Sequence, residues 1–228
     1  MLFDWTYILL IPAMVFAMYA QGKVKTTFNK YLRVRSSKGY TGVQVARMIM
    51  DSEGLQNINI ELTNGHLSDH YDPRKKVLRL SNAVYSGSSV ASLGVAAHEV
   101  GHAIQHASGY APLMIRNSLA PVAGFGSKAA WFLFFIGFIF ANSGLKVLMD
   151  IGILFFLAVV LFQIITLPVE FNASNRALTL LESQGILSSS EIAPTKKVLS
   201  AAALTYVAAT VVALSQLLRL LILRGRRN

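Results

Sequence analysis

Long apolar runs without charged residues alternate with polar stretches along this chain. Four such runs are residues 5–22, 129–145, 151–167 and 198–218. An α-helix that crosses a bilayer needs roughly 17–25 mostly apolar residues, and each run reaches that length with its flanking residues. The pattern therefore predicts four transmembrane helices, at residues 1–22, 118–145, 146–168 and 198–223.

The polar residues 23–117, between the first two spans, show the patterns of a small folded region. Thr41 and Gln44 fit a capping box that begins a helix, and Gly54 is a helix-stop signal. After a run of serine and glycine, a longer helix is expected at residues 90–107.

Three short strands are also predicted within this region. Residues 58–62 alternate between apolar and polar side chains, the Asn-Gly pair at 64–65 favours a tight turn into a second strand, and residues 77–80 predict a third. Consecutive strands joined by tight turns would form a short β-meander. Outside this region, residues 169–197 are predicted to be helical and residues 224–228 form a basic tail.

The composition fits a chain that faces lipid over much of its length. Apolar residues make up 54% and charged residues 14%, whereas soluble domains carry about 25% charge. The net charge of +10 could indicate a nucleic-acid binder, but the cations lie mainly beside the spans and there is no basic platform interleaved with aromatic residues. Cysteine is absent, so any metal must be held by histidine and carboxylate rather than thiolate.

Basic residues directly follow the first apolar run. They are Lys23, Lys25, Lys30, Arg33, Arg35 and Lys38. Because positive charge favours the cytoplasmic side, they predict a retained anchor with its amino end outside and residues 23–117 in the cytoplasm. A cleaved signal peptide is disfavoured, since Asp4 stands where such a peptide has positive charge and no A-x-A site follows. Four crossings put the carboxyl end outside, and Arg224, Arg226 and Arg227 oppose that orientation.

The helix predicted at 90–107 contains the motif His98-Glu99-Val100-Gly101-His102. Two histidines four residues apart lie on one helical face, so both imidazoles can reach one tetrahedral ion. Glu99 is then placed to act as general base towards a water molecule. Histidines that only hydrogen-bond in a core are the alternative, but a buried unpaired glutamate beside them would be costly. The motif therefore predicts a zinc site.

His106 lies on the same helix but is not expected to be a ligand. About 12 Å of helical rise separates it from His98, and zinc–nitrogen bonds of about 2 Å cannot bridge that distance. Its imidazole is expected to support a ligand or to hydrogen-bond to local backbone.

The third ligand is expected among the carboxylates that follow the motif. These are Asp150, Glu170, Glu182 and Glu191. The chain leaves the side of the site through the second span and returns through the third. Asp150 should therefore lie at the opposite membrane interface. Glu170 should emerge on the same side as His98, where it is expected to begin a helical stretch. Glu182 lies three turns further on and is the reserve, and Glu191 fits better as the capping partner of Ser188. His98, His102 and Glu170 with one open position would form a catalytic zinc site.

Three segments of the chain resemble one known family. They are residues 65–81 (GHLSDHYDPRKKVLRLS), 97–106 (AHEVGHAIQH) and 168–174 (PVEFNAS). All three are similar to the YugP family of bacterial membrane zinc metallopeptidases, and the similarity extends over essentially the whole chain. The resemblance implies a neutral zinc metallopeptidase that is anchored in the plasma membrane by several spans. It also implies one catalytic Zn²⁺, His98 and His102 as ligands, and Glu99 as the catalytic residue.

The layout is also similar, more distantly, to gluzincin membrane proteases of the HtpX kind. Those proteins pair H-E-x-x-H with a glutamate on a later helix, followed four residues on by an aspartate that orients a ligand histidine. Here the corresponding residue is Ser174. Its hydroxyl can accept a hydrogen bond from an imidazole N–H but, being neutral, would raise the basicity of the ligand less.

Together these patterns predict a mainly α-helical membrane protein with four transmembrane helices and a small α+β, zincin-like catalytic region. The predicted function is that of a membrane-anchored zinc metalloendopeptidase, which acts on a peptide or membrane-protein substrate at the cytoplasmic side of the lipid bilayer and binds no nucleic acid. Arg176, His70 and Tyr110 are candidates by residue type for stabilising the oxyanion, and the strand at 77–80 is a candidate for pairing with substrate. Two alternatives stay open. One is an intramembrane protease, although no Leu-Asp-Gly segment is present, and the other is a non-catalytic zinc-binding scaffold, which would not need Glu99.

Overall fold

The computed structural model describes residues 5–65 and 67–226. Asp4, His66 and Arg227 lie outside the described residues. The predictions of a retained anchor, of the family resemblance at residues 65–81 and of the carboxyl-terminal orientation each depend in part on one of them. The described chain consists mainly of α-helices together with one small sheet of three strands. The predicted fold class, a helical membrane protein with a small α+β region, is therefore confirmed.

Four helices of the described chain are long and apolar enough to cross a membrane. They are α1 (Leu10–Tyr31, preceded by a 3-10 turn at Trp5–Leu9), α5 (Ala111–Ile139), α6 (Val147–Ser183) and α7 (Ser189–Gly225). Each of them contains most of one predicted span.

Helix α6 extends well beyond the predicted third span. It runs without a break from Val147 to Ser183 and joins that span to the segment that begins at residue 169. Pro168 lies inside it, as membrane-spanning helices tolerate. The helix ends before Gly185, whose φ of +62° suits a glycine that stops a helix. Glu170 therefore lies in the interior of α6, and the expectation that it begins a helical stretch is wrong.

The chain divides into two compact units, of which the first comprises Met1–Ala20, Ala111–Pro168 and Thr205–Asn228. Within this unit, Arg224 Nε lies 2.8 Å from Asp150 Oδ1. The guanidinium of Arg226 lies 4.7 Å from the centre of the Trp5 ring. The start of the first helix, the turn between α5 and α6 and the end of α7 therefore meet at one end of the unit, as an even number of crossings requires.

The second unit, Gln21–Tyr110 with Val169–Leu204, contains the polar region. Its shorter helices are α2 (Gly42–Ser52), α3 (Asn82–Tyr85) and α4 (Val90–Ala107). The capping box predicted at Thr41 is present at the start of α2, and α4 has the predicted bounds. Ile49 of α2 and Leu93 of α4 are completely buried in one shared hydrophobic core. This core holds α4, the helix of the motif, against the rest of the unit.

The sheet of the second unit has the strand order β1–β3–β2. Its strands are β1 (Asn59–Thr63), β2 (His70–Asp72) and β3 (Val77–Ser81). β1 is parallel to β3 and β2 is antiparallel to it, so the strands do not form the predicted meander and the Asn-Gly pair at 64–65 does not close a hairpin. β3 is central because nearly all its side chains are buried on both faces, Leu78 and Leu80 completely. The expectation that residues 77–80 form a free edge for substrate is therefore wrong.

Candidate metal centre

Helix α4 places the histidines of the motif on one face. The helix begins at Val90 and is capped by Ser89, whose hydroxyl accepts a hydrogen bond from the Ser92 N–H at 3.0 Å. It continues without interruption through the motif. The ring centres of His98 and His102 lie 4.7 Å apart, as expected for side chains one helical turn apart. Glu99, which directly follows His98 in the helix, is only 9% exposed and is therefore largely buried.

Glu170 of α6 completes a group of three possible metal ligands. Its Oε2 lies 3.4 Å from His98 Nε2 and 3.7 Å from His102 Nε2, and the three ligand atoms lie within 4.8 Å of one another. In a tetrahedral zinc site with bonds of about 2.0–2.2 Å, neighbouring ligand atoms are about 3.3–3.5 Å apart. The two distances from Glu170 lie close to this value, and the donor set of two imidazoles and one carboxylate suits a zinc ion with one position left open.

The tautomer of His102 is fixed by Gln105. The Gln105 Nε2 donates to the backbone carbonyl of Val169 at 2.8 Å and to Asn172 Oδ1 at 2.9 Å. A carbonyl oxygen can only accept, so the amide nitrogen must face Val169 and the amide oxygen must face His102. That oxygen lies 3.0 Å from His102 Nδ1, which therefore carries the proton. The lone pair of His102 is left on Nε2, the atom that lies near Glu170.

His98 has a comparable partner in Ser174. The Ser174 hydroxyl oxygen lies 3.1 Å from His98 Nδ1, and the serine side chain is buried. When Nδ1–H donates to this oxygen, His98 also keeps its Nε2 lone pair for a metal. The contact anticipated for Ser174 from the sequence is thus present, at the position where the HtpX-like proteases have an aspartate.

The carboxylates around His102 favour the charged form of its ring. Burial of the imidazole opposes protonation, but the nearby carboxylate of Glu170 and the negative charge of Glu99 outweigh this effect and raise the pKa of His102. A metal ion and this proton compete for the same nitrogen lone pair. The cluster is therefore electrostatically suited to hold a cation.

The other carboxylates considered from the sequence lie elsewhere. Asp150 forms its ion pair within the first unit. Glu191 accepts hydrogen bonds from the backbone N–H and the hydroxyl of Ser188, at 2.7 and 2.6 Å, so it is the predicted cap. Glu182 is exposed on α6. Among the described residues, Glu170 is the carboxylate that groups with both histidines.

His106 contacts Tyr71 rather than the ligand group. The Tyr71 hydroxyl lies 3.0 Å from His106 Nδ1. Burial and the negative charge of Asp72 raise the pKa of the Tyr71 phenol, so the hydroxyl stays protonated at neutral pH. Among the described residues, His106 does not belong to the group of three possible ligands, and its partner is a side chain of β2 instead of local backbone.

The three residues considered for the oxyanion have different surroundings. Arg176 donates from Nε to Asn172 Oδ1 at 2.8 Å and so extends the network of Gln105. His70 is exposed on β2 and lies 2.8 Å from a nearby backbone carbonyl through Nδ1. Tyr110 follows α4, with its backbone N–H bonded to the Gln105 carbonyl. A role for any of them in catalysis stays a prediction, and Arg176 is the one that is linked to the support of a candidate ligand.

Gln105 and Asn172, which support the site, and Tyr71, which contacts His106, were missed by the sequence analysis. Gln105 follows His102 by three residues, and this spacing places both side chains on one helical face, so a search for hydrogen-bond partners of the motif could have found it. Asn172 and Tyr71 lie on other elements, and only the fold brings them to α4.

Comparisons with known proteins identify the family of the chain. A family model described as "putative neutral zinc metallopeptidase" matches residues 6–225. The chain is also similar to a protein of Bacillus subtilis (strain 168) named "Putative membrane protease YugP", with 47% identity over 220 residues and 96% of each chain covered. No solved structure matches the chain. The two matches span nearly the whole chain and show its family.

Proposed function

This chain belongs to the family described as "putative neutral zinc metallopeptidase", and we propose that it is a membrane-anchored zinc endopeptidase whose single zinc ion is held by His98, His102 and Glu170. The observation that carries the proposal is the meeting of these three side chains, with ligand atoms within 4.8 Å of one another. The largely buried Glu99 directly follows His98 in α4. Three protein ligands and one open position are the usual composition of a catalytic zinc site.

Glu99 is the proposed general base and general acid. Zinc, when bound, supplies a Lewis acid that activates water and polarises a peptide carbonyl. Glu99 accepts the proton of the attacking water and then delivers it to the nitrogen of the leaving amine. Gln105 and Ser174 hold the imidazoles of His102 and His98 so that both present Nε2 to the cation. The supporting hydrogen bonds thus arrange the ligands before substrate arrives.

Strand β2 is the proposed edge for binding an extended peptide. It lies at one side of the sheet, and its Tyr71 contacts His106 on the helix that carries the motif. A peptide added to this edge would gain backbone hydrogen bonds and would lie beside α4. β2 therefore replaces the central strand at 77–80 in the proposed substrate site.

The catalytic region is proposed to lie on the cytoplasmic side of the membrane. The basic residues between 23 and 38 favour that side. In the first unit, Asp150 pairs with Arg224 and so balances one of the carboxyl-terminal positive charges that oppose this orientation. A reporter enzyme that is active only outside the cytoplasm, fused after residue 228, should therefore be active. With four crossings, the carboxyl end and the α5–α6 turn lie on the same side of the membrane. A reporter that is inactive at the carboxyl end but active at the α5–α6 turn would therefore contradict four crossings.

The surroundings of α4 support cleavage at the membrane surface rather than within the bilayer. α4 packs against α2, α3 and the sheet, and it is not one of the four described helices that are long and apolar enough to cross a membrane. Soluble peptides should therefore be cleaved by the purified protein. Cleavage restricted to substrates embedded in a bilayer would favour the intramembrane class instead.

Replacement of Glu99 by Gln tests the proposed function directly. The amide cannot accept the proton, so kcat for peptide cleavage should fall by at least about 100-fold while the zinc content stays unchanged. Peptidase assays and elemental analysis of the full chain in detergent measure the two quantities. Glu182→Gln on the exposed surface of α6 is the matched control and should behave as wild type. Retained turnover in Glu99→Gln would overturn the role of Glu99, and a zinc-loaded wild-type protein without chelator-sensitive activity would indicate a scaffold.

A further inference from the structure

A groove of about 820 Å³ lies between α1 and α7 in the second unit. One wall runs along α1 from Lys23 to Tyr31, and the other runs along α7 from Ala193 to Leu204. The lining positions recur every three or four residues on both helices, so each helix presents one continuous face to the groove. None of the lining residues belongs to the candidate metal centre.

The groove has a strongly positive lining. Its four lysines are Lys23, Lys30, Lys196 and Lys197. All four are exposed, and within the described part of the chain none of them forms an ion pair with a carboxylate. The lining itself contains no acidic residue. Lysines collected in this way repel one another and attract an anion to the groove.

Apolar side chains and hydroxyl groups accompany the lysines. Tyr31, Ala201 and Leu204 form apolar parts of the walls. The Thr26 hydroxyl donates to its own helix, at the Gly22 carbonyl, so Thr27 and Ser200 are the hydroxyls available to a ligand. The groove therefore offers an apolar surface next to donors that suit a phosphate.

The position of the groove along the chain places it at the membrane surface. Lys23 directly follows the uncharged run of residues 5–22, and Ser200 and Leu204 lie at the beginning of the run of residues 198–218. The headgroup layer extends about 5–7 Å beyond each face of the hydrocarbon core. The lysines thus begin at the depth at which lipid phosphates lie.

We propose that this groove binds an anionic phospholipid, with the phosphate headgroup held by the lysines and an acyl chain packed against the apolar wall. Basic pockets between membrane helices bind acidic headgroups by this combination of charge and apolar contact. Free phosphate would use the lysines but not the apolar wall. An acidic peptide would also use the lysines, but its binding would not explain why the groove lies at the ends of the two apolar runs.

Lipid binding by two double variants of the full chain tests the proposal. Lys196→Gln with Lys197→Gln removes two charges from the groove, and Lys25→Gln with Lys75→Gln removes two exposed lysines that do not line it. Native mass spectrometry in mild detergent measures bound phosphatidylglycerol, with phosphatidylcholine as the uncharged comparison. Phosphatidylglycerol should bind preferentially to the wild type, and its affinity should fall by about tenfold or more in the groove variant only.

Several outcomes would overturn the site. These are equal binding of the two lipids, equal loss in both double variants, and full displacement of the lipid by millimolar inorganic phosphate. Unchanged lipid binding in the groove variant together with weaker cleavage of acidic peptides would assign the groove to substrate instead. Lys196→Arg with Lys197→Arg keeps the charge and should retain binding, and Lys23→Gln with Lys30→Gln repeats the test from the α1 wall if the first variant fails to fold. The lipid readout does not depend on peptidase activity.

Discussion

Gly101 of α4 lies directly against the backbone of Ala173 in α6. A side-chain carbon added at Gly101 would stand 2.7 Å from the Ala173 carbonyl oxygen, so a larger residue requires one of the two helices to move. Glu170 and Ser174 belong to the same stretch of α6 as Ala173. This glycine inside the motif therefore sets how closely α6 brings its side chains to the histidines.

Replacement of Gly101 by Ala should weaken zinc binding without altering any ligand. The added methyl group forces α4 and α6 apart, which should lower the unfolding free energy by about 1–3 kcal/mol and zinc affinity by about tenfold or more. Chelator competition and chemical denaturation measure the two effects. Gly124→Ala in α5 has no heavy atom within 4 Å of the new carbon and should leave zinc affinity unchanged. Wild-type affinity in Gly101→Ala would show that this contact does not control the site.

Ser174 should tune zinc affinity through His98. Ser174→Ala removes the acceptor 3.1 Å from His98 Nδ1 and should lower zinc affinity by about 10–100-fold. Ser174→Asp restores an acceptor and adds negative charge, so its affinity should equal or exceed that of the wild type. The order Asp ≥ Ser > Ala, measured by competition with a chelator, is the expected result, and an alanine variant equal to wild type would contradict it.

Alanine variants of Glu170 and Glu182, two glutamates of α6, test which of them binds zinc. Glu170→Ala removes the carboxylate that lies 3.4 Å from His98 Nε2. Loss of a residue that only hydrogen-bonds to a ligand lowers metal affinity by about 10–100-fold, and the loss of the proposed ligand itself should lower zinc affinity by more than that. Zinc should also no longer raise the thermal unfolding midpoint, since ligand that does not bind cannot stabilise the native state. Glu182→Ala should retain both effects. The reverse pattern would transfer the ligand role to Glu182.

Zinc binding should release a proton at slightly acidic pH. The pKa of His102 is raised, mainly by Glu170 against the opposing effect of burial, so the metal-free ring keeps its proton to a higher pH than the ordinary value of about 6.5. Below the raised pKa zinc must displace this proton, and affinity should fall as the pH is lowered. Calorimetry in two buffers with different protonation enthalpies measures the release. His106→Ala should leave it unchanged, and an absence of release near pH 6.5 in the wild type would contradict the assignment.

The successful sequence predictions were those that depend on neighbours along the chain. The apolar runs, the capping box at Thr41 and the bounds of α4 follow from helix periodicity and local hydrogen bonding. The order of the strands in the sheet was predicted wrongly. The tight-turn residues at 64–65 indicate a hairpin between β1 and β2, but they carry no information about which strand each of these pairs with in the folded sheet. The apolar β3 is buried more completely as the central strand, and that preference outweighs the local turn signal.

The sequence by itself determined the four apolar helices, the spacing of His98 and His102, and the place of Glu99 between them, because helix geometry converts residue number directly into position. It also singled out Glu170, with Glu182 in reserve, as the expected third ligand. Only the tertiary structure brought Glu170 to the two histidines, fixed the tautomer of His102 through Gln105, and joined the lysines of α1 and α7 in one groove. These arrangements depend on packing between elements that are far apart in the chain, and that packing is decided by which surfaces can be buried together rather than by local residue order.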